Sequence, residues 1–126
     1  LIQEDSLNKL LPILIKLSIV CESNEDVNQL SKYIFESFDL KDILEIADKQ
    51  EKIIITLIYC EYKFLANKFS EVEYLASNNI IKAEKLINHK STEDLGWLIV
   101  RRSLKLYTNK NLARNNLINT VGNLVN

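Results

Sequence analysis

The chain has 126 residues, 47% of them hydrophobic and 26% charged, with a formal net charge of −1; that is enough apolar material for one ordinary domain with a core, and it excludes intrinsic disorder. Two glycines and one proline leave little turn material for a β-rich fold, so the expected class is all-α, and collagen-like, mucin-like and disulfide-dense chains drop out. Charge is polarised along the chain: residues 1–63 hold 7 Lys and Arg against 12 Asp and Glu, and residues 64–126 hold 9 against 5. The asymmetry either steers a partner or a head-to-tail contact with a second copy, or simply reflects solvated helix faces.

About seven helices are predicted. The first covers about 5–21, and Pro12 either stands near its true start or kinks it. The second covers 24–37, the third 40–48 behind Asp39, and the fourth 49–68. The fifth covers 71–88, the sixth 92–108 and the seventh 110–125 behind Asn109. Ser23 to Asp26, Asp48 to Glu51, Ser70 to Glu73 and Ser91 to Asp94 each set a capping side chain three residues before a carboxylate, the pattern in which both side chains satisfy free amides at a helix start. The links are short and contain no low-complexity stretch. The expected architecture is therefore one domain over 1–126 built from antiparallel helical hairpins.

The faces differ. In the fifth helix Val72, Leu75, Ala76, Ile80, Ala83, Leu86 and Ile87 recur at helical spacing, which predicts a half-exposed outer helix. The fourth is apolar nearly all round, from Ile53 to Ala66. The sixth has Leu95, Leu98, Ile99 and Leu106 on one side and Trp97, Val100, Leu104 and Tyr107 on the other, so both are predicted to be interior.

This alternation of inner and outer helices in units of about 36 to 43 residues, with Asn67-Lys68-Phe69-Ser70-Glu71-Val72 as a turn and second-helix opening, resembles tetratricopeptide-like α-α superhelices. The resemblance covers residues 49–88 more fully than 91–126. Cys60 stands where that family prefers glycine, and no consensus proline closes either unit. It implies hairpins stacked as a right-handed superhelix. In its wealth of Ile, Lys and Asn the whole chain also looks like small archaeal helical proteins of unknown function.

Few residues suggest chemistry. His89 is the sole histidine and ends the fifth helix beside Lys90, where a cation suits the helix dipole. With Cys21 and Cys60 it makes no zinc-type spacing. Both glycines fall within predicted helices, so no phosphate loop is expected, and no nucleophile adjoins a base. Neither a catalytic site, a cofactor nor a metal is expected. Asp39, Asp42, Glu45 and Asp48 read as a solvated face. Gly96 and Ser103 form a narrow stripe suited to close helix approach or to a ligand groove.

Two charges sit inside apolar faces: Glu61 among Ile54, Leu57 and Leu65, and Arg102 among Leu95, Leu98, Ile99 and Leu106. An unpaired buried charge is very costly, so the two either pair, reach solvent along their stems, or mark a binding site. Arg101, Arg102, Lys105, Lys110 and Arg114 gather near Trp97 and Tyr107, which permits a phosphate-backbone footprint.

The favoured expectation is a non-enzymatic protein–protein interaction module, with nucleic-acid binding through Arg101, Lys105, Lys110 and Arg114 as the alternative. Tyr33, Phe35, Phe38 and Tyr107 exceed what a small stack needs to bury, which suits a homodimer. Two thiols in apolar helices suit a reducing, cytoplasmic setting. No run of residues is long and apolar enough for a membrane span, and no basic leader precedes the first helix. The chain lacks methionine even at position 1, so it reads as beginning inside a longer or processed product.

Overall fold

The computed structural model describes residues 4–21 and 24–108. Among them the chain is all-α, with no strand: α1 (Glu4–Val20), α2 (Glu25–Ser37), α3 (Leu40–Glu45), α4 (Lys49–Leu65), a 3-10 turn at Phe69–Glu71, α5 (Glu73–Ile87) and α6 (Glu93–Thr108). The seventh helix predicted over 110–125, with its Asn109 cap and Gly122, lies outside the described residues. The chain divides into two compact units, Leu1–Tyr62 and Lys63–Asn126.

In the first unit α1 packs on α2. Leu7, Leu11, Leu14 and Ser18 are buried; steps of four, three and four residues place them in one seam along α1. On α2 the buried residues are Val27, Ser31 and Ile34. Pro12 stands in mid-helix, not at the start, so its ring removes the amide that would have bonded the Asn8 carbonyl. Both residues are exposed. The start of α2 is set by Asn24, whose Oδ1 accepts the Asp26 N–H at 2.7 Å, one residue later than the expected Ser23.

The third helix is shorter than predicted, because Asp48 is needed elsewhere. Its Oδ1 accepts the Glu51 N–H at 2.8 Å while Glu51 Oε1 accepts the Asp48 N–H at 3.0 Å, the reciprocal capping box predicted for α4. A cap residue cannot also be helical, so α3 ends at Glu45 and Ala47 turns inward. Ile54, Ile55, Leu57, Ile58 and Cys60 are all buried, which bears out α4 as an interior helix. Phe35 lies edge-on to Tyr59, with ring centroids 5.1 Å apart, and beside Tyr62 at 5.6 Å.

The second unit opens where α4 stops. Asn67 adopts φ 60°, the left-handed conformation that asparagine tolerates best after glycine. The Lys68 N–H donates to the Lys63 carbonyl at 2.8 Å and the Asn67 N–H to Phe64 at 3.0 Å, the paired bonds of a Schellman stop. The expected Ser70 cap is not used: Phe69 and Val72 turn inward, the chain takes a 3-10 turn between them, and α5 begins at Glu73 with no side-chain cap.

From there α5 and α6 pack along most of their length. At one end a Cβ on Gly96 would lie 2.8 Å from the Ile87 nitrogen and 3.1 Å from the Ala83 carbonyl oxygen. Only glycine permits that approach, which bears out the small-residue stripe as a helix contact. In the link, the Thr92 hydroxyl donates back to the Leu86 carbonyl at 2.7 Å, where a Ser91 cap was expected. At the other end the Tyr107 hydroxyl donates to the Glu73 carbonyl at 2.7 Å and accepts from Ser77. Its ring stands edge-on to Phe69, which in turn stands edge-on to Phe64.

Candidate functional site

The residues singled out from the sequence fall into an interior group and a surface group. Arg102 is 3% exposed on α6, and Glu61 is half-buried on α4; each is engaged by other groups of the protein. The solvent-reaching alternative therefore fails for Arg102, which belongs to the interior and not to the basic surface. Cys60 is fully buried and its thiol is pushed up from 9.0 to about 12, first by burial and then by the neighbouring Glu61 charge. Such a thiol stays protonated and unreactive. Tyr62 is also held above its ordinary value, by burial and then by the charge and hydrogen bond of Glu36.

Ser103, two turns after Gly96 on the same helix, is fully buried, and its Oγ has no hydrogen-bond partner. His89 is exposed in the α5–α6 link, where its carbonyl accepts the Thr92 N–H at 3.1 Å. Asp39, Asp42, Glu45 and Asp48 are all exposed, as expected of a solvated face. Among the described residues no group of three or more His, Cys, Asp or Glu stands close enough to hold a metal ion.

The surface group is concentrated on α6. Arg101 and Lys105 are exposed one turn apart; Lys110 and Arg114, the other members of the expected basic patch, lie outside the described residues. Trp97, expected on a buried side, is 43% exposed one turn before Arg101. The buried face of α6 runs instead through Gly96, Ile99, Val100, Arg102, Ser103, Leu106 and Tyr107. Close approach at Gly96 turns that glycine toward α5, which rotates its neighbour Trp97 outward. Glu93, one turn earlier, is exposed as well, so Glu93, Trp97, Arg101 and Lys105 form one outward row.

Tyr107 was expected to seek a partner surface and is interior instead, consumed by its contacts to Phe69, Glu73 and Ser77. Phe35 is likewise committed to Tyr59 and Tyr62, Phe38 is half-buried, and only Tyr33 of that group is exposed. The exposed large apolar residues are others. Ile13 (48%) and Val20 (73%) stand two turns apart on α1, and Tyr74 (76%) and Ile81 (52%) two turns apart on α5. Amphipathic spacing hid them, since an isolated apolar residue on a polar face leaves no periodic signal.

Compared with family models, with curated proteins and with solved structures, the chain matches none. The tetratricopeptide and archaeal likenesses thus rest only on the residues that suggested them. Among the described residues no helix is long and apolar enough to cross a membrane.

Proposed function

We propose that the chain is a non-enzymatic interaction module whose helices present apolar side chains to a protein partner or to a second copy of itself. The observation that carries this reading is the pairing of exposed apolar residues two turns apart on outward helix faces: Ile13 with Val20, and Tyr74 with Ile81. A spacing of seven residues returns to the same side of a helix, so each pair turns two apolar side chains toward a facing helix or groove, with Lys16 and Leu17 between the first two and Ser77 and Asn78 between the second. The proposal includes stacked hairpins of the tetratricopeptide-like kind, supported by the antiparallel packing of α5 and α6 around Gly96. Its cytoplasmic setting is supported by the two free thiols, Cys21 and Cys60.

The test is cross-linking of the purified chain in extract of its source cell, beside a Tyr74→Asp/Ile81→Asp variant and an Ile13→Asp/Val20→Asp variant. The reading expects a discrete cross-linked species that one of the variants loses while its helical circular dichroism is unchanged. The same adducts from all three chains would overturn it.

Nucleic-acid binding is the weaker reading. Arg101 and Lys105 are exposed and aligned, but Glu93 stands in their row and Asp94 beside it, where a phosphate backbone would be repelled. Fluorescence polarisation with single- and double-stranded oligonucleotides at two salt concentrations decides it, and absence of salt-sensitive binding removes it.

A further inference from the structure

We infer that one edge of α1 docks an amphipathic helix of a partner protein, a helix that carries carboxylates along a single edge of its apolar stripe. The inference rests on the interaction-module reading and gives it a surface and a partner chemistry.

Three pairs of residues, each seven apart, run side by side along α1, and with 3.6 residues per turn each pair lies about 40–60° further round than the one before. Leu10 and Leu17 are half-buried, Ile13 and Val20 are exposed next to them, and Lys9 and Lys16 are exposed beyond. The four apolar residues step by three, four and three along the chain, which is the spacing by which one helix seats the knobs of another. The fully buried seam of α1 points about 100° away round the same helix. A helix with one neighbour needs one apolar stripe; two stripes at that angle suit a helix with two neighbours. α2 packs on α1, and the second stripe stays open along Ile13 and Val20.

The lysines fix the chemistry of what covers it. Residues 1–63 hold 12 Asp and Glu against 7 Lys and Arg, yet from Ser6 to Val20 the only charges are Lys9 and Lys16, both on one edge of the band. Neither stands in the last turn of α1, so the helix dipole does not account for them. Three and four residues from Lys16 stand Pro12, Ile13, Ile19 and Val20, so no acid of its own helix answers it. A helix laid over the band has one edge beside these ammonium groups, and a row of carboxylates there is the complement. A second copy of the chain does not supply one. Antiparallel, it would line up the lysines of both copies along the same edge; parallel, it would set them over the half-buried leucines. A single helix over this band makes less than a standard interface, so the complex is a weak and reversible one.

The experiment uses the whole chain and two fluorescently labelled synthetic peptides of about three heptads, with leucine at the seam positions. One peptide has glutamate along one edge of its stripe and glutamine along the other; the second has lysine in place of the glutamate. Anisotropy at low salt should show the glutamate peptide bound about tenfold more tightly than the lysine peptide. Lys9→Glu/Lys16→Glu should reverse that preference. Ile13→Ser/Val20→Ser should weaken binding of the glutamate peptide by about tenfold or more, with helical circular dichroism unchanged because both positions are exposed. Tyr74→Asp/Ile81→Asp should bind it as the unaltered chain does.

Binding of neither peptide, equal binding of both, or a preference that survives the double lysine reversal overturns the inference. So does loss of binding in the Tyr74→Asp/Ile81→Asp variant, which would place the groove on α5. Sedimentation equilibrium showing a dimer that Ile13→Ser/Val20→Ser abolishes would give the band to a second copy and overturn it as well. In each of these cases a partner cross-link lost only by the Tyr74→Asp/Ile81→Asp variant leaves the module reading standing, whereas identical cross-links from all chains remove that reading too.

Discussion

In the α1–α2 hairpin the contact is made by side chains that reach out from the helices: Leu7, Leu11 and Leu14 along one seam, with Val27 and Ile34 buried on the other helix. In the α5–α6 hairpin one end is a backbone approach, with Gly96 set against the Ile87 nitrogen and the Ala83 carbonyl. The first also carries a proline in mid-helix; the second is tied at its link by Thr92 and at its far end by Tyr107. The difference teaches that two helix pairs of one chain can have opposite sensitivities. A seam of leucines suffers when atoms are removed, whereas a backbone approach suffers when one is added.

Leu14→Ala is the largest expected effect. The side chain is fully buried, and its loss should lower stability by about 2–5 kcal/mol, seen as an earlier urea midpoint. Pro12→Ala should move the same hairpin the other way. The position is exposed within a continuous helix, so restoring the amide should raise stability by about 1–3 kcal/mol; an unchanged melt would mean that α1 gains nothing from the Asn8 bond. Gly96→Ala sharpens the contrast. In an exposed helix the change gains about 1 kcal/mol, but here the new methyl meets backbone, and a net loss of about 1–3 kcal/mol is expected. Stabilisation on that substitution would break the comparison.

A fourth effect depends on pH. Cys60 in the folded chain holds its proton up to about 12, against 9.0 for an ordinary thiol. Between those values the unfolded chain binds fewer protons than the folded one, so stability falls as pH rises. The slope is about 1.4 kcal/mol per pH unit for one proton. Below pH 9 the thiol adds no slope. Cys60→Ala should remove this part of the alkaline loss in urea melts collected from pH 8 to 11.

The helical class and most boundaries were legible because they depend on local rules. Asp48 and Glu51 cap α4 as their spacing predicts, and the apolar circumference of α4 did mark a buried helix. Misreadings occur where a tertiary demand outweighs a local one. Ser70 and Glu73 have the spacing of a cap, yet burial of Phe69 and Val72 takes the chain through a 3-10 turn instead. On α6 two apolar sides compete, and one neighbour covers only one of them. The stripe of Gly96 and Ser103 marks a close helix approach in the sequence, but it lies between the two apolar sides and carries little hydrophobic weight, so it does not show which side turns outward. The outward row followed from that choice; its charges were visible, but the exposure of Trp97 was not.

The closely packed helix pairs, α1 with α2 and α5 with α6, join segments adjacent in sequence, and the α5–α6 link is only Asn88 to Thr92. The chain segment that must close before each contact forms is therefore short, and the entropy lost in closing it is small. Proteins dominated by such local contacts reach the native state in microseconds to milliseconds. Each hairpin can thus form while the rest of the chain is still leaving the ribosome, with its apolar seam exposed only briefly.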